Sequence, residues 1–211
     1  MKKKYTQYGC GLSAPIEWKN FDVSPTLRLQ KLPIIGSLLK KQLNTVFQSN
    51  VIYGDIIKGL PIKDNSCDGL YCSHTLEHLS LKDFRTALKN SYKILKKGGI
   101  FRCIVPDLEF AARLYIKELG NGENSASINF LNNTLLGIKV RPRGVMNFVS
   151  SFFGNSHHLW MWDHKSLSQE LARAGFTNIR KANFGDSEEA MFKYVEDVDR
   201  FKNSVAIQCN K

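Results

Sequence analysis

Residues 69–106 read GLYCSHTLEHLSLKDFRTALKNSYKILKKGGIFRCIVP, and they supply two strands joined by one helix with almost no linker. Gly69 to Cys72 is apolar and is entered through Lys63-Asp64-Asn65-Ser66, a set of turn formers, as a buried strand requires. Beyond it Leu81, Phe84, Leu88, Tyr92 and Leu95 recur at steps of three and four. That spacing makes one stripe of an α-helix apolar and predicts a helix over 81–97. Ser80 with Asp83 three residues on is a capping-box-like start. Lys96-Lys97-Gly98-Gly99 then puts cations in the last turn and glycine behind it. The second strand, 100–105, follows at once and stops at Pro106. Strand, helix and strand with short links indicate a parallel sheet.

Working outward, further strands are expected at 4–8, 18–23, 50–53, 177–182 and 205–209. A last helix over 166–174 has Ser166 and Gln169 as its capping box and Gly175 as its stop. The region between the fifth and sixth strands opens helical at 110–119 and then turns irregular through Gly120-Asn121-Gly122 and Arg141-Pro142-Arg143-Gly144. It reads as an insertion or lid, about 109–160, within one domain spanning 1–211.

With 211 residues and 43% hydrophobic content the chain has the makings of one globular domain, which argues against wholesale disorder. No apolar run approaches the roughly 20 residues needed to span a bilayer, and the basic N-terminus lacks the apolar stretch of a signal peptide. The expected compartment is the cytoplasm. Five cysteines, Cys10, Cys67, Cys72, Cys103 and Cys209, show no C-x-x-C pair, so buried reduced thiols are expected rather than a disulfide framework or a zinc site, and no metal is called for. The net charge of +11 suits phosphates, acidic glycans or anionic surfaces without choosing among them. The basic and apolar stretch 27–41 reads either as a cover over the sheet edge or as a peripheral contact with a membrane, with Pro33 and Gly36 interrupting it.

Gly9-Cys10-Gly11-Leu12-Ser13-Ala14 matches G-x-G-x-x-A after the first strand, where glycines let a backbone approach a ligand. Asp22 ends the second strand, where a carboxylate meets ribose hydroxyls, and Asp55 ends the third. A dinucleotide fits poorly. Its acidic residue should follow the glycines by about 20 residues, and its pyrophosphate wants a helix N-terminus next to the loop. Here only 12–17 separate Gly11 from Trp18, with Pro15 among them. A cofactor without phosphates loses little by that.

With these glycines and carboxylates, Gly54-Asp55-Ile56, the run from Asp68 to His78, Leu95-Lys96-Lys97-Gly98-Gly99 and Val105-Pro106-Asp107 make a sequence that resembles a class I S-adenosylmethionine-dependent methyltransferase of the type 11 group. The likeness is strongest over about 5–110, and His158-Leu159-Trp160-Met161-Trp162-Asp163 is similar to the C-terminal part of the same group. It implies a Rossmann-like fold with a central, mostly parallel seven-stranded sheet, the last strand antiparallel, and S-adenosylmethionine as cofactor. By the same resemblance Gly9, Cys10 and Gly11 lie at the methionine end, Asp22 holds the ribose, Asp55 and Ile56 meet the adenine, and Ser73 and His74 line the pocket near the sulfonium. The chain departs from the family in having no helix after the glycines.

Methyl transfer is an in-line displacement that needs alignment and, for some acceptors, a base. His74, just past the fourth strand, is a candidate base or substrate contact, with His78 one turn on and Glu77 as an architectural partner in that turn. His158 is a second candidate, and His157 and His158 beside Trp160 and Trp162 form either an acceptor pocket or a staple packing the lid onto the sheet. Asp107, after the fifth strand, is placed to orient an acceptor hydroxyl. The expected acceptor is a small molecule or carbohydrate, with a glycan precursor preferred. Two rivals stand beside it: methylation of RNA, which the charge favours and the lack of an RNA-binding appendage disfavours, and a cofactor-binding protein without activity.

Overall fold

The computed structural model describes residues 2–32, 46–139 and 157–211. Seven strands form one sheet: β1 (Tyr5–Tyr8), β2 (Lys19–Asp22), β3 (Val51–Tyr53), β4 (Cys67–Ser73), β5 (Leu95–Pro106), β6 (Thr177–Lys181) and β7 (Ser204–Asn210). Their order is β3-β2-β1-β4-β5-β7-β6. Pairing is parallel from β3 through to β5, and β7 runs antiparallel to both β5 and β6. Six strands thus share one direction and the last in the chain opposes them, as expected.

The helices are α1 (Pro25–Gln30), α2 (Leu81–Ile94), α3 (Leu108–Gly120), α4 (Ala126–Asn133) and α5 (His164–Arg173). The central strands are buried on both faces, and alternation sorts their side chains. β5 sends Phe101, Cys103 and Val105 to one side, where they meet Phe84 and Leu88 of α2 and Leu167 and Leu171 of α5. Its Ile104 goes to the other side, with Tyr5, Trp18, Tyr71 and Phe192. No long helix covers that second face among the described residues. It is covered by the β6–β7 connection, through two short 3-10 turns, Ala190–Tyr194 and Val198–Phe201. The connection is pinned by Arg102 of β5, whose side chain is 1% exposed. Its guanidinium pairs with Asp186 at 2.9 Å and Glu196 at 2.6 Å and donates to Gln208 at 2.7 Å.

Two boundaries differ from the sequence expectation. The helix expected over 81–97 ends at Ile94, and Leu95 is already extended and pairs with Cys67. Lys96-Lys97-Gly98-Gly99 is therefore a register shift within the sheet, not a helix terminus. Gly98 takes φ +77°, its amide bonds the Lys211 carbonyl at 2.8 Å, and Lys96 reaches Asp68 at 2.7 Å. The last helix begins earlier than expected, at His164. Its capping box is Asp163 with Ser166, which satisfies two of the helix's open amides, and not Ser166 with Gln169. Trp162 just before it stacks on Phe84 at 4.2 Å, so the chain is held in the core as the helix starts. Gly175, at φ +103°, ends it as expected.

The insertion contains α3 and α4, and 140–156 lie outside the described residues, as do 33–41 of the stretch read as an edge cover or membrane contact. Of that stretch Leu27 is buried and Leu29 and Leu32 are exposed. All five cysteines are free and buried, as expected. No helix among the described residues is long and apolar enough to cross a membrane.

Candidate active site

The parallel strands end on one edge, and the expected site residues sit there in succession: Gly9 after β1, Asp22 closing β2, Asp55 after β3, Ser73 closing β4 and Asp107 after β5. Gly9 takes φ +62°, and a Cβ on it would lie 1.9 Å from the Thr75 hydroxyl. The first loop therefore packs directly on the loop after β4, which only glycine allows. Gly11 takes φ +55° with open space beside it. Its amide donates to Asp22 Oδ2 at 2.9 Å, and the Ser24 amide donates to Asp22 Oδ1 at 2.8 Å. The Asp22 carboxylate thus ties the glycine loop to the exit of β2, and each oxygen keeps a second lone pair for a ligand. Burial pushes the Cys10 thiol up to about 12, so it lines the loop as a neutral group. Asp55 accepts from the Ile57 amide at 2.9 Å, a local turn. Ile56 is buried in the main core.

A small cleft of about 110 Å³ lies at the ends of β1 and β4, lined by Gly9, Cys10 and Ser73 on one side and by Glu196, Asp197 and Arg200 on the other. The hydroxyls of Ser73 and Tyr71 are buried there. A larger cleft of about 350 Å³ opens at the end of β5, lined by Asp107, Phe110, Tyr115, Phe130, Met161 and Asn203 among others. Asp107 caps α3 by accepting from the Glu109 amide at 2.8 Å and borders this cleft. Neither His74 nor His158 is among the residues lining it.

His74 adopts φ +49°, a strained conformation for a side chain of its size. Its amide bonds the Ile104 carbonyl at 2.9 Å. Nε2 meets the Arg200 carbonyl at 2.9 Å and therefore carries the ring proton, and Nδ1 faces Glu77 Oε1 at 3.5 Å. Glu77 lies in a 3-10 turn, Leu76–His78, with its side chain 1% exposed. Its backbone carbonyl accepts from the amides of Leu159 and Trp160, so the return of the insertion is bonded to this turn. His158 follows from that attachment: its ring lies 5.0 Å from that of His78, and burial pushes its imidazole down. Of the two tryptophans, Trp162 is a core residue and Trp160 is exposed.

Sequence reasoning missed Arg102 and the whole of 183–201. One signal was present: a lone arginine in an otherwise apolar central strand must find buried partners. Glu77 was read as a partner of His74 and His78 in one turn, but nothing in the sequence signals that His158 joins them, a contact that only the fold makes.

Residues 8–103 match the family described as a methyltransferase domain, type 11. Among solved structures, a S-adenosylmethionine-dependent methyltransferase from Thermotoga maritima superposes with a TM-score of 0.52 at 20% identity, over 100% of this chain and 83% of its own. A S-adenosylmethionine-dependent methyltransferase from Archaeoglobus fulgidus gives 0.50 at 16% identity, over 99% and 86%. No curated protein matches the chain.

Proposed function

We propose that the chain, whose residues 8–103 match the methyltransferase-domain family, is a S-adenosylmethionine-dependent methyltransferase that methylates oxygen or nitrogen of a small or sugar-containing acceptor, such as a glycan precursor. The observation that carries this reading is the cleft of about 350 Å³ beside Asp107 at the end of β5. Ligand pockets begin at about 300 Å³, so its volume suits a small acceptor or one sugar ring. Its aromatic lining, Phe110, Tyr115 and Phe130, offers flat faces to such a ring.

In this reading Gly9, Cys10 and Gly11 surround the methionine end of the cofactor, Asp22 takes the ribose hydroxyls, Asp55 and Ile56 border the adenine, and Ser73 and His74 flank the sulfonium. Arg200, across the small cleft from Gly9, supplies the cation for the methionine carboxylate that a helix after the glycines would otherwise serve. S-adenosylmethionine, when bound, would supply an electrophilic methyl group for in-line displacement by the acceptor's lone pair. Asp107 aligns the acceptor and receives its proton or passes it to water. His74, with Nε2 committed to the Arg200 carbonyl, holds the β6–β7 connection against the cofactor. His158 shapes the acceptor side through the return of the insertion, and the described part of the insertion, 109–139, helps exclude water.

Calorimetric titration with S-adenosylmethionine, its demethylated product and NAD tests the cofactor half. A screen of nucleotide sugars and small amines with methyl-labelled cofactor tests the acceptor half. With a competent acceptor, Asp107→Asn is expected to lower kcat by about 10²–10⁴-fold with cofactor affinity unchanged. Label transfer to RNA alone would refute the acceptor class, and full turnover in Asp107→Asn would refute its role.

A further inference from the structure

Glu77, His78 and His158 each offer one ligand atom, and these atoms all lie within 4.8 Å of one another. What makes the cluster unusual is what the rest of each side chain does. Both carboxylate oxygens of Glu77 are buried with no hydrogen-bond partner among the described residues, and so is Nδ1 of His158. His78 Nδ1 lies 3.0 Å from the His157 carbonyl. A carbonyl only accepts, so this nitrogen carries the proton and Nε2 is left as a lone pair. His158 has the Thr134 backbone as hydrogen-bond partner on its ring, so its lone pair is Nδ1. The second nitrogen of each ring is thus held by a backbone carbonyl, the arrangement that fixes tautomer and orientation in metal-ligating histidines. The buried centre of the cluster is occupied only by electron pairs. A buried carboxylate without a hydrogen bond is strongly disfavoured, and a positive charge between the three groups removes that penalty.

We propose that Glu77, His78 and His158 bind a divalent transition-metal ion of the zinc class. Two imidazoles and one carboxylate are a borderline donor set that suits zinc and leaves a fourth position open. Bonds of about 2.0–2.2 Å in a tetrahedron place ligand atoms roughly 3.4 Å apart, so the ligand atoms, now within 4.8 Å of one another, close by at most about 1.4 Å. The site joins two distant parts of the chain. Glu77 and His78 come from the turn after β4, and His158 comes from the segment that returns from the insertion. The ion would hold that segment beside His74, whose Nδ1 is 3.5 Å from Glu77.

The test uses the full chain, stripped with a chelator, then titrated with Zn²⁺ against a chromophoric competitor and with Co²⁺ by its visible absorption. The expected result is one ion per chain with a dissociation constant below about 1 μM and a cobalt spectrum of low coordination number. Glu77→Gln, an isostere, and His158→Ala should each weaken zinc at least 100-fold. Circular dichroism establishes that the variants are folded, and a zinc-dependent rise in Tm, present in the parent and absent from both variants, gives a second readout. No stoichiometric binding, or equal binding in the parent and both variants, would overturn the site and leave a proton as the charge that Glu77 shares with its histidines.

Discussion

Replacing Arg102 by methionine keeps much of the side-chain volume and removes the charge. The Glu196 carboxylate, 0% exposed, then loses its only cationic partner at 2.6 Å, among the described residues, and keeps the Gly185 amide at 2.9 Å. Asp186 is hurt less, because Arg180 still reaches it at 2.8 Å. Breaking one side of a buried pair costs about 3–5 kcal/mol, since the remaining charge stays desolvated. Against a total stability of about 5–15 kcal/mol, that is a large share. With a urea dependence near 2–3 kcal/mol per molar, the unfolding midpoint should fall by about 1–2.5 M. The double variant Arg102→Met, Glu196→Met removes both partners and should recover at least half of the loss. The single variant should also bind S-adenosylmethionine more weakly while folded, because the loosened connection carries Arg200, whose carbonyl holds His74. A loss below about 1 kcal/mol, or a double variant no more stable than the single one, would refute the clamp.

Three further outcomes are expected. Gly9→Ala meets both a left-handed φ and the Thr75 hydroxyl at 1.9 Å, whereas Gly11→Ala meets the φ alone. Chemical denaturation should therefore show a loss of about 2–5 kcal/mol for Gly9→Ala and about 1–2 kcal/mol for Gly11→Ala. In calorimetry Asp22→Ala should weaken cofactor binding by about 2–3 kcal/mol, more than Asp55→Ala, whose carboxylate serves a local turn; equal affinities would exclude Asp22 from the ribose. Burial acts to raise the Asp186 carboxyl, but hydrogen bonds from Arg180, the Asn183 amide and Arg102 outweigh it and hold it at about 2 against an ordinary 3.8. A depressed carboxylate stabilises the fold above its unfolded value, so this contribution should fade as pH falls from about 4 through about 2, and Asp186→Asn should flatten stability over that window.

The strands were legible because the central ones are short apolar runs bounded by turn formers, and their carboxyl ends then place Gly9, Asp22, Ser73 and Asp107 on one edge with no further information. The end of α2 was not. Leu95 continues the spacing of Leu88 and Tyr92, and Lys96-Lys97-Gly98-Gly99 imitates a helix stop. What ends the helix is the pairing of Leu95 with Cys67, a tertiary contact that overrides local propensity. The start of α5 failed in the same way, since Asp163/Ser166 and Ser166/Gln169 both fit a cap and the burial of Trp162 selects the first. The missing helix after the glycines was read correctly as a departure, but its consequence lay 180 residues further on. A sheet face without a helix must still be covered, and Phe192 and Val195 of the β6–β7 connection cover it. That cover brings Glu196 onto Arg102 and Arg200 onto the rim beside Gly9. One local omission near the N-terminus thus requires a buried cation in β5 and a cationic rim from the C-terminal part of the chain, a coupling that only the folded packing makes visible.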